Sequence, residues 1–295
     1  MQLIESSNRI RNLVISLAVF VALALYASTY SVPVLRVSLM PDEPPPLMRR
    51  KLKPLTDYLE TKIGMKIEFR PMRDGDALVD ALLGKKLDMV WIDGFSFIQA
   101  KTRSNDQVIP LVQRAEDEQT QSVFITAHAG ITSLEDLKGK TISFGAESSA
   151  SGNLMPRSFL RAAYLDPDTD MKPIISETPD ATVAAVASGE ADAGVLSNMS
   201  WVKLIEQGKV DPKVVHVFYT TPGYHDYNWT VRADMDADLR QKLADAFLAL
   251  DKNNGQYKAI LDLQRASRFT SANAEDYSVI EAAARRAGQT PRLPP

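Results

Sequence analysis

The sequence predicts an α/β protein of two lobes, each a helix-covered, mostly parallel sheet, followed by a helical C-terminal tail. Three observations lead there. From Val34 onward, short β-rich runs alternate with helically spaced ones, which is the pattern of a sheet covered by helices. The alternation runs once over about 34–118 and again over about 128–222. The joining segment "RAEDEQTQSVFIT" (114–126) holds no proline or glycine and reads as extended chain, which suits a hinge better than a loose linker.

The elements follow in order. "VLRVSLM" (34–40) reads as a strand, and "PDEPPP" (41–46) as a stiff, extended loop after it. In "LMRRKLKPLTDYLETKIG" (47–64), Leu52, Leu55, Tyr58 and Leu59 keep helical spacing up to Gly64. "KIEFRPM" (66–72) alternates like a strand, and "DALVDALLGKK" (76–86) is a helix closing near Gly84. "LDMVWI" (87–92) is a buried-type strand, "FSFIQAKT" (95–102) starts a helix, and "QVIPLVQ" (107–113) is a strand. The second round opens with "QSVFITA" (121–127). "SLEDLKGK" (133–140) is a short helix with Ser133 as its cap and Asp136 three residues on. The strand "TISF" (141–144) runs straight into "GAESSASGNLMPRSFL" (145–160), where Met155, Phe159 and Ala162 keep helical spacing. "KPIIS" (172–176), "ATVAAVASG" (181–189), "ADAGVL" (191–196), "SWVKLIEQG" (200–208) and "VVHVFYTT" (214–221) continue the alternation. The tail from Asp236 is mostly helical, clearest in "LRQKLADAFLALDK" (239–252).

Composition narrows the function. The chain has 295 residues, 45% apolar and 24% charged, a globular balance. A net charge of -3 offers no basic field for nucleic acid. With no cysteine there are no disulfides, thiolate nucleophiles or cysteine metal sites. His128, His216 and His225 lack metal-ligand spacing, so neither metal nor cofactor is expected. Arg9 and Arg11 precede the uncharged run "LVISLAVFVALALYAS" (13–28), the order of an export signal. Residues 1–32 therefore read as a cleaved signal peptide or a retained anchor, and the rest is placed outside the cytoplasmic membrane. The lobes are then 33–118 with about 223–295, and 119–222 including the hinge crossing.

The stretch 145–160 follows a strand and opens a helix, at the carboxyl end of a strand where α/β sheets bind ligands. The first amides of a helix lack internal partners, and the helix dipole adds positive charge there. Ser149 and Ser151 add hydroxyls, and Gly152 leaves the backbone open to a ligand. An oxyanion can be held in this way without a lysine, each such hydrogen bond contributing about 1.5–3 kcal/mol. A plain serine-rich cap is the alternative. No nucleophile with an adjacent base accompanies the stretch, so binding is expected and an enzyme is not.

Here a resemblance enters. "SSASGNLMPRSFL" is similar to the S-[ST]-S-G-x-L-x-P signature of the periplasmic phosphate/phosphite/phosphonate-type substrate-binding proteins of ABC transporters. "LDMVWIDGFSFIQA" (87–100), "PDATVAAVASGEADAGVL" (179–196) and "YNWTVRADMDADLRQKLADAFLAL" (227–250) resemble three more of its motifs, in order. In wording the motifs lie nearest to selenate-binding members. The resemblance implies the type II periplasmic-binding-protein fold, closing on a ligand and delivering it to a permease. It puts Ser149, the Ala150 backbone and Ser151 on the oxyanion grip. Three positions depart from the family: Ala150 replaces a hydroxyl residue, Pro179 a histidine, and Asp93 a glycine of the nearest subgroup. A carboxylate beside an anion repels it unless it is protonated or faces a cation.

Further candidates are Trp91 as a cleft wall, Asp93 as pocket residue or helix cap, Ser96 as a hydroxyl donor, Asn198 at a strand end, and Tyr224 near the second crossing. Arg157 and residues 40–43 are weaker candidates. The leading expectation is an exported, monomeric protein that captures a small oxyanion or phosphonate-like compound and touches the membrane only through its N-terminal segment. The rival is a ligand-sensing subunit of a membrane sensor kinase.

Overall fold

The computed structural model describes residues 33–41 and 43–289. The export segment read over 1–32 lies outside them. The first sheet is built from β1 (Val34–Leu39), β2 (Lys66–Phe69), β3 (Met89–Ile92), β4 (Val108–Arg114), β10 (Asn228–Arg232) and β11 (Phe269–Ser271), in the spatial order β11-β4-β10-β3-β1-β2. The second holds β5 (Ser122–Thr126), β6 (Thr141–Gly145), β7 (Lys172–Ser176), β8 (Ala193–Ser197) and β9 (His216–Thr220), ordered β7-β6-β8-β5-β9.

Pairing in both sheets is mixed. β1 runs parallel to β3, and β6 runs parallel to β7 and β8, as strand–helix alternation requires. The strands that carry the chain between sheets run the other way. β10 returns from the second sheet and inserts antiparallel between β3 and β4. β5 enters it antiparallel between β8 and β9. A crossing strand arrives from the opposite direction, so it cannot join in parallel without a further turn of chain.

The helices cover these sheets. α1 (Pro45–Ile63) buries Met48, Leu52, Leu55, Leu59 and Ile63, one face of a 3.6-residue period. It starts two residues earlier than "PDEPPP" suggests, because Pro45 and Pro46 need no amide partner in a first turn. Gly64 ends it at φ 70, a left-handed conformation that glycine adopts without strain. α2 (Gly75–Leu83) and α3 (Gly94–Arg103) follow, the first capped by Asp74. In the second half come α4 (Met155–Ala162), α5 (Pro179–Ser188) and α6 (Asn198–Glu206). α7 (Ala237–Leu248), α8 (Gly255–Gln264) and α9 (Ser278–Arg286) make the tail, with β11 between the last two. The short helix expected over 133–140 is only a 3₁₀ turn, Glu135–Leu137. Asp136 accepts the Ser133 amide at 2.9 Å, so the acidic side chain, not the serine, does the capping.

Two segments cross between the sheets. The first is not extended throughout: a 3₁₀ turn, Ala115–Gln119, separates β4 from β5. The crossings are hydrogen-bonded to each other. The Thr221, Tyr224 and Asp226 amides donate to the Ser122, Thr120 and Asp117 carbonyls, each at 3.0 Å.

Candidate functional site

The serine stretch leaves β6 at Gly145 and forms a single π-type turn, Ala150–Leu154, before α4. Ser149 is its cap, and its hydroxyl accepts the Gly152 amide at 3.0 Å. The Leu154 amide donates to the Ser149 carbonyl, five residues back, at 3.1 Å. In that spacing Pro156 would bond Ser151, but proline has no N–H. The Ser151 carbonyl takes the Ser122 hydroxyl instead, at 2.7 Å. That spends the Ser122 proton, so the Tyr224 hydroxyl, 2.8 Å away, donates to Ser122. One missing amide hydrogen thus ties the serine turn to β5 and the second crossing.

Gly152 has a packing reason as well. A Cβ there would stand 3.1 Å from the Gly145 Cα, because the turn folds back onto the end of β6. The Asn153 amide group closes the same contact, donating to the Gly145 carbonyl at 2.8 Å.

Across from the turn stands the N-terminus of α3. Asp93 caps it, accepting the Ser96 amide on Oδ1 at 2.7 Å. Its Oδ2 accepts the Ala150 amide at 3.2 Å. The two helix starts, one from each half, therefore share one carboxylate. Ser96 also turns its hydroxyl onto Asp93. Burial pushes the Asp93 carboxyl up despite these donors, which pull it back.

A second carboxylate lies beside it. Asp226 is wholly buried; Oδ1 accepts the Gly94 amide at 3.0 Å, and Oδ2 has no partner. Burial, then the neighbouring Asp93 charge, drive its pKa well above the usual range. Burial does the same to the Tyr224 phenol, with Asp226 adding to it. Asp117 is buried too but pairs with Arg114, at 2.5 and 2.8 Å.

Arg114 heads a second group. Its guanidinium lies 4.9 Å from the Trp91 ring and 5.9 Å from Tyr227, which stack on each other at 5.6 Å. It also reaches the Met199 sulfur at 3.7 Å, beside Asn198. The Asn198 Oδ1 accepts the Gln121 and Met199 amides at 3.3 and 3.0 Å. Next to it a cavity of about 450 Å³ opens between α6 and α8, lined by Asn198, Met199, Glu116, Glu206 and Arg265.

The structure thus gathers the sequence candidates into two groups. Asp93, Ser96 and Ala150 are in direct contact, with Ser149, Ser151 and Gly152 in the same turn and Tyr224 joined through Ser122. Trp91 stacks under Arg114, and Asn198 precedes the Met199 whose sulfur Arg114 reaches. Arg157 turns away to Asp168, at 2.6 Å, and over the Phe144 ring. Glu43 bridges Lys51 and Lys203, at 2.7 and 3.0 Å, linking the loop after β1 to α6. Pro179, at the family's histidine position, is the first residue of α5, where a missing amide costs nothing.

Sequence reasoning missed Arg114, Asp117 and Asp226. Asp117 sits in the run Glu116, Asp117, Glu118, which looks like a solvated surface, and no local signal marks the middle residue as buried. Among the described residues no cluster of histidines and carboxylates could hold a metal ion, and no helix is long and apolar enough to cross a membrane.

Comparison with known proteins identifies the family and the fold. The family model of the periplasmic substrate-binding protein of phosphonate ABC transporters matches residues 37–277. A probable ABC transporter phosphite-binding protein of Prochlorococcus marinus is 29% identical over 285 residues, covering 90% of this chain and 96% of the relative. The phosphonates-binding periplasmic protein of Escherichia coli is 23% identical over 215 residues, covering 71% and 63%. The structure of the Prochlorococcus protein in complex with methylphosphonate superposes with a TM-score of 0.78, covering 87% of this chain and 98% of that one. A binding protein component of an ABC phosphonate transporter from Pseudomonas aeruginosa, 19% identical, gives a TM-score of 0.73 over 86% of each chain and shares the fold.

Proposed function

The chain belongs to the periplasmic substrate-binding proteins of phosphonate ABC transporters, and on that premise we propose that it holds a small phosphonate- or phosphite-like oxyanion at the Ser149–Gly152 turn. The family binds and delivers; it performs no chemistry. Its partners are a small ligand and a permease, and its compartment is the periplasm. One observation carries the ligand class: the Ala150 amide, at the start of the turn, already holds a carboxylate oxygen of Asp93 from the other half. A donor that takes an internal anion is suited to an external one. The similarity to a relative solved with methylphosphonate supports the same class.

The binding residues are then Ser149, Ala150, Ser151 and Gly152 from one side and Asp93 and Ser96 from the other. Trp91, Asn198 and Tyr224 wall the cleft. Sheet membership supports lobes of 33–118 with about 223–295, and 119–222. The protein acts as a monomer, and the basic residues and apolar run near its N-terminus support membrane contact through that segment alone.

The test is thermal stabilisation of the purified protein against methylphosphonate, phosphite, phosphate, selenate and sulfate. A ligand at one hundred times its dissociation constant adds about 2.7 kcal/mol to folding stability. A shift with one oxyanion, lost when Ser151 is replaced by tryptophan, is the expected result. Silence with every oxyanion would overturn the proposal.

A further inference from the structure

We propose that Asp93 is a specificity-determining residue: the site admits an oxyanion only in a form that brings its own proton, a hydroxyl-bearing monoanion. The inference rests on the oxyanion function proposed above and deepens it.

The geometry is the argument. Asp93 Oδ2 lies 3.2 Å from the Ala150 nitrogen, on the donor that an oxyanion would use. Oδ1 is held 2.7 Å from the Ser96 amide, so the carboxylate cannot swing away without uncapping α3. An oxyanion that shares or takes over the Ala150 amide must put an oxygen against Asp93. Two bare anionic oxygens in that contact repel. A proton between them turns the repulsion into a short, charge-assisted hydrogen bond.

The surroundings offer no other remedy. The fully buried Oδ2 of Asp226 is without a partner, and its other oxygen holds the amide of Gly94, the residue after Asp93. The buried cation Arg114 is committed to Asp117. The remaining ionisable groups facing the pair are phenols, Tyr224 on Ser122 and Tyr277 on Gln113, together with His225, whose ring meets Gln113 at 3.2 Å and Asp276 at 3.9 Å. A proton on Asp226 reaches no acceptor, since its Oδ2 has no partner, so an oxygen placed against the ionised Asp93 depends on its own proton.

Methylphosphonate and methanesulfonate separate proton from charge. Both are monoanions at acid pH, but only the phosphonate has a hydroxyl, which it loses with a second pKa above the value of about 6 for phosphate esters, because carbon withdraws less than oxygen. Titration calorimetry should show wild type preferring methylphosphonate by about 10- to 100-fold, the span of one hydrogen bond to a charged group. That affinity should fall about tenfold per pH unit above the ligand's second pKa, as the competent fraction shrinks. Asp93→Asn keeps the α3 cap but supplies its own donor, and Asp93→Gly removes the carboxylate. Both should flatten the pH slope and admit methanesulfonate and sulfate. The wild-type slope is readable even where a variant fails to fold. Equal wild-type affinity for both ligands, or a preference that survives in both variants, overturns the role of Asp93 and leaves the oxyanion function standing. No binding by any protein at any pH overturns both.

Discussion

Asp226→Asn isolates the effect of burying a second carboxylate. The residue is wholly enclosed, with one oxygen on the Gly94 amide at 3.0 Å and the other unpartnered. Burial and the adjacent Asp93 raise its pKa well above the value of about 3.9 for an unfolded chain. Between those two values the native state holds a proton that the unfolded state has released. Stability is therefore fully present below the unfolded pKa and declines as pH rises towards the folded one. One such group steepens the decline by at most about 1.4 kcal/mol per pH unit. Asparagine has the same shape, still accepts from Gly94, and cannot ionise. The variant should match wild type to within about 1 kcal/mol near pH 4 and exceed it at pH 8, its decline per pH unit being shallower by up to that amount. In a chain of this size each kcal/mol moves the midpoint by about 2–4 °C. Calorimetric melts at half-unit steps of pH read both quantities. An unchanged slope, or a variant less stable than wild type at the alkaline end, would refute the burial argument.

Two further outcomes follow from the contacts between the halves. Leu154→Ala empties a side chain that is 2% exposed in a cluster shared by both halves, and should lower unfolding free energy by about 2.5–5 kcal/mol in urea titration. Tyr224→Phe removes the hydroxyl that donates to Ser122, and should lose about 1 kcal/mol in the same titration while leaving the far-ultraviolet spectrum unchanged.

Much of the fold was legible because helix and strand periods are local. The apolar spacing of Leu52, Leu55 and Leu59 needs no knowledge of what α1 packs on, and the structure buries all three. Strand direction was not local. "NWTVR" reads the same whether it extends a sheet or inserts into its middle, and only the position of β9 in the other half decides. The start of α1 was misplaced because consecutive prolines suit both an extended loop and a first helical turn. In the candidate site, the serine turn announced itself by composition and by its place after a strand. The π spacing did not, since it depends on Gly145 and Gly152 meeting face to face. Asp93 was singled out as pocket residue or cap; its contacts make it the cap of α3 and tie it to the Ala150 amide as well. Asp226 gave no signal within "PGYHDYNW", because the amide it accepts, that of Gly94, is distant in the chain.

The paired crossings constrain how the two halves can move. Two independent strings would let the halves slide, twist and tilt separately. Here the Thr221, Tyr224 and Asp226 amides lace one string to the other, so the halves are joined by a ribbon. A ribbon bends readily in one direction and resists shear, which would break three hydrogen bonds at once. On the function proposed above, closure on a ligand would run along that bend and work against the apolar cluster that Leu154 shares with both halves. A permease docked on both halves would then read the bend without touching the ligand.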